Sequence, residues 1–221
     1  MNQSSDPSAR LIVAATAVEI QPFLAALRSD PGKFKNWEIL ITGPGLTATT
    51  YHLSKYISIR KPSRIIMAGI AGSFDPSLLP GQVLIVKADR IADEGVLEKN
   101  KWHSLIDLGF QQKNKFPFKN GWLKNEDPFL RSSSLKKCRA ISVNQVSAQP
   151  STIKRLVENY DPAIESMEGA ALHYVCLMEQ IPFIQLRAIS NRVGIRDKKK
   201  WNFKDSITNL NKELMDILSV I

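Results

Sequence analysis

The feature that most constrains the fold is a series of short, continuous apolar runs separated by segments with helical spacing. Residues Leu11–Ala15 read LIVAA, and residues Arg64–Ala68 read RIIMA. Such runs are typical of strands buried on both faces of a sheet. The sequence predicts strands at Leu11–Ala15, Trp37–Thr42, Arg64–Ala68, Gln82–Ala88, Ala140–Val146 and Pro182–Ala188, with a short extended segment at Ala163–Ser166.

Amphipathic segments alternate with these strands. In the last of them, Ile207, Leu210, Leu214, Ile217 and Leu218 fall on one helical face. Helices are predicted around Phe23–Leu27, at Leu46–Ile59, from Ser151 as N-cap to Glu158, at Glu168–Gln180 and at Phe203–Leu218. The alternation indicates an α/β protein, a three-layer α/β/α sandwich around a central mixed sheet. A length of 221 residues favours one domain, residues 1–221.

Two regions resist assignment. The stretch from about Glu98 to Leu135 mixes Lys, Asn, Phe and Trp with two prolines, and no elements are assigned to it. Its aromatic residues could cover a ligand, although core or interface packing is the simpler expectation; they are Trp102, Phe116, Phe118 and Trp122. The second region, Ser190–Trp201, is predicted to be a loop.

Charge and hydropathy narrow the classes of partner. The formal net charge of +9 raises the possibility of a polyanionic partner. However, the basic residues are scattered, with one local cluster at Arg196–Lys200, and no nucleic-acid-binding signature is present. We therefore predict no nucleic-acid partner. No apolar run reaches the length of a membrane span, and the polar start MNQSSDPSAR leads into a strand rather than a signal peptide.

Cofactor and metal motifs are missing from the sequence. The GIAG of Gly69–Gly72 is not a dinucleotide fingerprint and could simply form a tight turn. There is no P-loop and no GxSxG elbow, and the three histidines share no ligand spacing with Cys138 and Cys176. We expect neither cofactor nor metal, and the sparse cysteines suit a reducing, cytoplasmic setting.

The carboxyl ends of the predicted strands mark a candidate ligand-binding rim, because ligands of open α/β sheets bind there. This rule selects Glu19, Gly43–Gly45, Gly69–Ser73, Asp89–Asp93, Gln145–Ser147 and Ser190–Asn191. Each has a structural alternative. Glu19 and Glu168, for example, stand at predicted helix starts, where the helix dipole favours a carboxylate without any function.

The order and the amino-acid sequences of these segments resemble those of the nucleoside phosphorylase and nucleosidase superfamily. The similarity is carried by SMEGAALHYVCLMEQIPFIQLRAISN at Ser166–Asn191, with AATAVE at Ala14–Glu19, TGPG at Thr42–Gly45 and AGIAG at Ala68–Gly72. It extends over nearly the whole chain and is weakest between about residues 95 and 135. Within the superfamily, SNRVGIRDKKKW at Ser190–Trp201 is similar to the tail of futalosine hydrolases, enzymes of an alternative menaquinone pathway.

The resemblance implies cleavage of a purine N-ribosidic bond, which for futalosine yields hypoxanthine and dehypoxanthine futalosine. It implies that Glu19 is the general base for water and that Arg187 helps to hold the water and the carboxylates. Glu168 would accept hydrogen bonds from two ribose hydroxyls, and Met167 would pack under the sugar. Ala71 and Gly72, with the backbone near Val146, would line the base pocket.

Asn191 departs from the aspartate of methylthioadenosine and S-adenosylhomocysteine nucleosidases. A 6-oxopurine presents acceptors at O6 and N7, so an amide NH2 is the better complement, and we predict a hypoxanthine-type base. For Arg196, one hypothesis pairs its guanidinium with the carboxylate of the substrate. The alternative is that Arg196 pairs with Asp197 and only shapes the loop.

Other readings stay open at this point. ATAVEIQPF offers no arginine before Arg28 to bind phosphate, so water is the expected nucleophile. The alternatives are a methylthioadenosine/S-adenosylhomocysteine nucleosidase, a purine nucleoside phosphorylase, or a binding protein of this fold without catalysis. The expected partners are a small nucleoside and water, with no membrane, and assembly at least as a homodimer.

Overall fold

The computed structural model describes residues 9–99 and 101–221, so most of the polar N-terminal segment lies outside the described residues. The strands are β1 Arg10–Ala14, β2 Trp37–Ile41, β3 Arg64–Ser73, β4 Val83–Asp89, β5 Gly95–Glu98, β6 Lys101–Ser104, β7 Phe118–Lys119, β8 Trp122–Lys124, β9 Lys136–Ser142, β10 Ile164–Ser166 and β11 Phe183–Arg192. The helices are α1 Gln21–Ser29, α2 Leu46–Ile59, α3 Phe129–Ser132, α4 Pro150–Tyr160, α5 Gly169–Met178 and α6 Phe203–Leu218.

Nine of these strands form one mixed sheet. Strand β1 pairs in parallel with β2 and β3, and β3 pairs in parallel with β11 along almost its whole length. The remaining pairings run from β3 through β10, β9 and β4, and β4 pairs back to β11. Five strands therefore close into a ring, and β1 and β2 extend the sheet on one side.

Alternate residues of β1 point to opposite faces, as the period of a strand requires. Leu11 and Val13 pack in the apolar cluster that includes residues of α2 and α5. Ile12 and Ala14 pack in the cluster that includes residues of α1 and α6. Helices thus cover both faces of a mixed sheet, which confirms the predicted three-layer architecture. A third cluster fills the ring itself, with Leu84, Val86, Ala140, Ile164 and Ile189 among its members.

Several element boundaries differ from the predictions. Helices α2 and α6 have the predicted bounds, but β3 continues through Gly69–Gly72, so GIAG is strand rather than a turn. Strand β9 ends at Ser142 instead of Val146. Ser151 is not an N-cap: α4 starts at Pro150, whose fixed φ suits a first helical position, and its N-cap residue Gln149 makes no side-chain cap bond.

The region that resisted assignment contains regular structure. Strands β5 and β6 pair as an antiparallel hairpin, and β7 and β8 pair antiparallel, with β8 joining the main sheet beside β4. Trp122 is buried, whereas Phe116 is exposed. The predicted loop 190–201 begins with the end of β11 and contains a 3-10 turn at Lys198–Lys200. No helix among the described residues is long and apolar enough to cross a membrane.

Asn211 ties the segment that carries Glu19 to helix α6. Its side chain is fully buried, and its Nδ2 donates to the carbonyl of Glu19 at 2.8 Å and to that of Ile207 at 2.7 Å. Its Oδ1 accepts from the amide of Phe23, in the first turn of α1, at 3.0 Å. One buried carboxamide therefore satisfies an otherwise open amide at the start of α1 and holds Glu19 in place.

We expect Asn211→Ala to lower the free energy of unfolding by about 2 kcal/mol, because buried backbone groups lose their partner. Chemical denaturation measures this change. Asn209→Ala is the matched control, since Asn209 lies on the same helix and makes one bond to the carbonyl of Gly81. Equal losses in the two variants would contradict a special role of Asn211.

Candidate active site

A cavity of about 150 Å³ opens beyond the carboxyl end of β1, beside the distal half of β3 and the end of β11. Eight of the nine predicted site residues line it: Glu19, Ala71, Gly72, Val146, Met167, Glu168, Asn191 and Arg196. The ninth, Arg187, is 1% exposed and lies behind the wall. No residue from the described part of 95–135 lines the cavity, so the aromatic side chains there do not cover it.

Glu19 is held by the loop that follows β1. Its Oε2 accepts from the amide of Thr16 at 2.9 Å and from the Thr16 hydroxyl at 3.1 Å. Its Oε1 accepts from the amide of Ile70 on β3 at 3.1 Å. These bonds fix a carboxylate that is 8% exposed at the cavity wall.

Arg187 and Glu168 form a buried ion pair. Arg187 Nη1 donates to Glu168 Oε2 at 3.2 Å and to the carbonyl of Ile70 at 3.3 Å. The other oxygen of Glu168 accepts from the amide of Gly45 at 3.1 Å. Glu168 is the N-cap residue of α5, but its side chain does not cap the helix. Instead, Ser142 Oγ accepts from the amide of Ala170 at 2.8 Å, which leaves the Glu168 carboxylate at the cavity.

Two glycines make this arrangement possible because no side chain fits at their positions. A Cβ at Gly69 would lie 2.4 Å from Arg187 Nη1 and 3.0 Å from Glu19 Oε1. A Cβ at Gly169 would lie 2.1 Å from Asp89 Oδ2 and 2.2 Å from Gln185 Nε2. Gly69 of AGIAG and Gly169 of MEGAA therefore allow polar side chains to approach the backbone closely, rather than forming turns.

Burial raises the pKa of Glu19 at the cavity and of Asp89 behind it. The pKa of Glu19 is raised, chiefly by desolvation; Arg187 lowers it and the nearby charge of Glu168 raises it. Desolvation also raises the pKa of Asp89, which is fully buried beneath α5, to about 7. Desolvation outweighs the attraction of the Arg187 guanidinium at both groups, so both hold a proton more readily than usual.

Two hydrogen bonds fix the orientation of the side-chain amide of Asn191 at the cavity. Its Oδ1 accepts from Ser190 Oγ at 2.8 Å, and its Nδ2 donates to the carbonyl of Arg192 at 2.8 Å. A carboxamide nitrogen carries two hydrogens. One N–H of Asn191 therefore has no role in these bonds and is available to a ligand.

The segment after β11 folds back over the cavity. Trp201 Nε1 donates to the carbonyl of Ile195 at 2.8 Å, and both residues line the cavity. The guanidinium of Arg196 lies 5.5 Å from the centre of the Trp201 ring. Within the described residues, Arg196 and Asp197 form no ion pair; Asp197 instead accepts from the amide of Lys199 at 3.0 Å. The predicted pairing of Arg196 with Asp197 is therefore not observed, and the guanidinium contacts Trp201 instead.

The sequence reasoning missed Glu165, which lines the cavity and is 5% exposed. Both of its carboxylate oxygens accept from Ser147, one from the amide at 2.9 Å and the other from the hydroxyl. The rim rule considered residues after strands, whereas Glu165 lies within β10. A charged residue inside a strand with buried neighbours on both sides was the available signal.

Comparisons with known proteins identify the family of the chain. The profile of the family described as the phosphorylase superfamily matches residues 32–221. The chain is 28% identical to a Thermus thermophilus protein named futalosine hydrolase, over 95% of each chain. It is 25% identical to a Shewanella loihica protein named 5'-methylthioadenosine/S-adenosylhomocysteine nucleosidase, over 84% of this chain and 82% of that one. Glu19 precedes the matched residues, and the fold brings it to Ile70, which lies within them.

A solved structure shares the fold. The chain superimposes with a TM-score of 0.76 on the structure of a futalosine hydrolase mutant of Helicobacter pylori, at 18% identity, covering 96% of this chain and all of that one.

Proposed function

The chain belongs to the phosphorylase superfamily, and from that membership we propose that it is an N-glycosyl hydrolase that releases hypoxanthine from futalosine. The relative from Thermus thermophilus supports this substrate. The observation that carries the proposal is the hydrogen bonding of the Asn191 side chain. Its carbonyl oxygen is engaged by Ser190, and its free N–H is a donor. A 6-oxopurine accepts at O6 and N7, so a donor complements it, whereas a 6-amino group would need an acceptor.

Two of the carboxylates that line the cavity, those of Glu168 and Glu19, suit the other tasks of the reaction. Glu168 keeps lone pairs for the 2′ and 3′ hydroxyls of the ribose, since an ionised carboxylate only accepts. Arg187 keeps Glu168 oriented through their 3.2 Å bond. Glu19, held by Thr16 and Ile70, would take a proton from water as that water attacks the anomeric carbon. Met167 would pack under the sugar, and Ala71, Gly72 and Val146 would flank the base.

Water is the proposed nucleophile rather than phosphate. Among the lysines and arginines of the described residues, Arg196 alone lines the cavity. The carboxylates of Glu19, Glu165 and Glu168 in the same cavity would repel a phosphate dianion. This charge distribution favours hydrolysis over the inosine phosphorylase alternative.

The remaining alternative is a 6-aminopurine nucleosidase. The relative from Shewanella loihica, named for methylthioadenosine and S-adenosylhomocysteine, supports it. The amide of Asn191 argues against it for the reason given above.

Location and assembly also belong to the proposal. We propose a cytoplasmic protein, because both cysteines are free and buried, and a homodimer or larger homo-oligomer. Exposed apolar side chains such as Tyr51, Ile59 and Phe110 are compatible with such an assembly.

The direct test incubates the purified protein with futalosine, inosine or methylthioadenosine, each with and without phosphate, and measures free base by chromatography. We expect hypoxanthine from futalosine at a rate that does not depend on phosphate. Adenine from methylthioadenosine, or a requirement for phosphate, would refute the proposed function.

Asn191→Asp should reduce the preference for 6-oxopurines. A mismatched buried polar contact costs about 1–3 kcal/mol, so the ratio of kcat/KM for futalosine to that for methylthioadenosine should fall about tenfold or more. Steady-state kinetics on both substrates measure the ratio. Asn159→Asp makes the same chemical change on the exposed face of α4 and should leave the ratio as it is. An unaltered preference in Asn191→Asp would contradict the role of the amide.

The acid limb of the pH profile of kcat/KM should reflect the titration of Glu19. A general base works when deprotonated, so activity falls as the pH drops through a pKa that burial raises above 4.5. Glu168→Gln removes a negative charge that raises this pKa, and we expect the limb to move to lower pH while the overall rate falls. An acid limb set by the titration of Asp89 would keep its position on the pH axis, because Glu168 is not among the groups that shift the Asp89 pKa. Glu98→Gln, at an exposed site, is the control.

Arg196→Ala tests the carboxylate contact. We expect KM for futalosine to rise about tenfold, as for the loss of one charge-assisted bond, while KM for inosine, which lacks the carboxylate, stays the same. Lys198→Ala removes a nearby positive charge without altering the cavity wall and controls for general attraction. An unchanged KM for futalosine in Arg196→Ala would eliminate the contact.

A further inference from the structure

One wall of the cavity is formed by residues 143–149, which connect β9 to α4 without regular secondary structure. This segment is called here the base-wall loop. Val146 and Ser147 of this loop line the cavity. A loop is a poor support for a ligand unless its backbone is held, because ordering it on binding costs conformational entropy. The question is which groups hold this loop in place.

Two carboxylates hold the base-wall loop, one on each side of Val146. Asp93 Oδ2 accepts from the amide of Asn144 at 2.6 Å and from that of Gln145 at 3.3 Å, and its Oδ1 accepts from Asn144 Nδ2 at 3.2 Å. On the other side, Glu165 accepts from the amide and the hydroxyl of Ser147. The carboxylates lie on different segments, one after β4 and one within β10.

Val146 itself is left open between these two anchors. Within the described residues, neither its amide nor its carbonyl has a hydrogen-bond partner, and its side chain is half-buried at the cavity. Backbone groups next to a cavity require a partner once a ligand excludes water. The edge of a purine base, which carries both donors and acceptors, can supply such partners.

We propose that Asp93 and Glu165 are positioning residues that fix the Val146 backbone against the purine base. This inference rests on the proposed function, since it assigns the base to this wall. Glu165 lines the cavity, and each of its oxygens accepts a hydrogen bond from Ser147. These bonds assign it to the loop, so it acts as a positioning residue rather than as a catalytic one.

A positioning role predicts that the base subsite weakens while the sugar subsite does not. Glu165→Ala should raise the dissociation constant of free hypoxanthine about tenfold, because ordering of the loop must then be supplied on binding. The dissociation constant of 1,4-dideoxy-1,4-imino-D-ribitol, which occupies the ribose subsite alone, should stay within about twofold of the wild-type value. Asp93→Ala should behave in the same way. Isothermal calorimetry measures both constants without turnover.

Two more conservative substitutions distinguish loss of the hydrogen bonds between Glu165 and Ser147 from loss of folding. Glu165→Gln can still accept from the Ser147 amide and donate to its hydroxyl, so it should recover most of the hypoxanthine affinity. Ser147→Ala removes the hydroxyl bond and keeps the amide bond, so it should have an effect between those of Glu165→Gln and Glu165→Ala. These two variants decide the question if Glu165→Ala does not fold.

Asp107 provides a matched control away from the cavity. One oxygen of its carboxylate, Oδ2, accepts from the amide of Ser104 at 2.9 Å and from the Ser104 hydroxyl at 2.7 Å, so its donors are of the same kind as those at Glu165. Asp107→Ala should leave both dissociation constants unchanged.

Two results would overturn the inference: equal weakening of both ligands in Glu165→Ala and Glu165→Gln, or unaltered hypoxanthine binding in Glu165→Ala and Asp93→Ala. Its failure is distinct from that of the proposed function. If the wild-type protein binds hypoxanthine but does not hydrolyse futalosine, the proposed reaction is refuted. The positioning role of Asp93 and Glu165 can then still be tested by the binding of hypoxanthine.

Discussion

The buried ion pair between Arg187 and Glu168 is the interaction on which the site depends. Taking a guanidinium out of water is costly, and a single carboxylate partner at 3.2 Å offsets only part of that cost. The structure adds the carbonyl of Ile70 and the nearby charges of Glu19 and Asp89. Such an arrangement is a poor way to stabilise a fold, since apolar residues would pack there at lower cost. It is a good way to hold carboxylates at a cavity in fixed positions.

The same charge balance explains the chemistry available at the site. Because the cost of desolvation exceeds the attraction of the single buried guanidinium, the pKa values of Glu19 and Asp89 are raised instead of lowered. A raised pKa brings a carboxylate closer to the working range of a general base. The geometry requires close approach as well: Gly69 and Gly169 are present because a methyl group at either position would meet a charged or amide side chain.

The site combines rigid and irregular parts with different tasks. Glu168 at the start of α5 and Arg187 on β11 are placed by the central sheet and its covering helix. The base-wall loop and the segment around Arg196 and Trp201 have little regular structure, and side-chain bonds hold them instead. A relative of this fold can change such segments without disturbing the ion pair, which suits sites that differ in substrate and share a reaction.

Apolar periodicity is a local property, and it predicted the fold class and the bounds of α2 and α6. The resemblance to a known family supplied the eight predicted residues that line the cavity. The tertiary structure makes GIAG a strand, because β3 pairs with β11 beyond the predicted end. It also decided that β9 stops at Ser142 and that Glu165 reaches Ser147, since both depend on partners distant in the chain. Local patterns record what a residue prefers, whereas a hydrogen bond between segments 18 residues apart exists only after the sheet has brought them together.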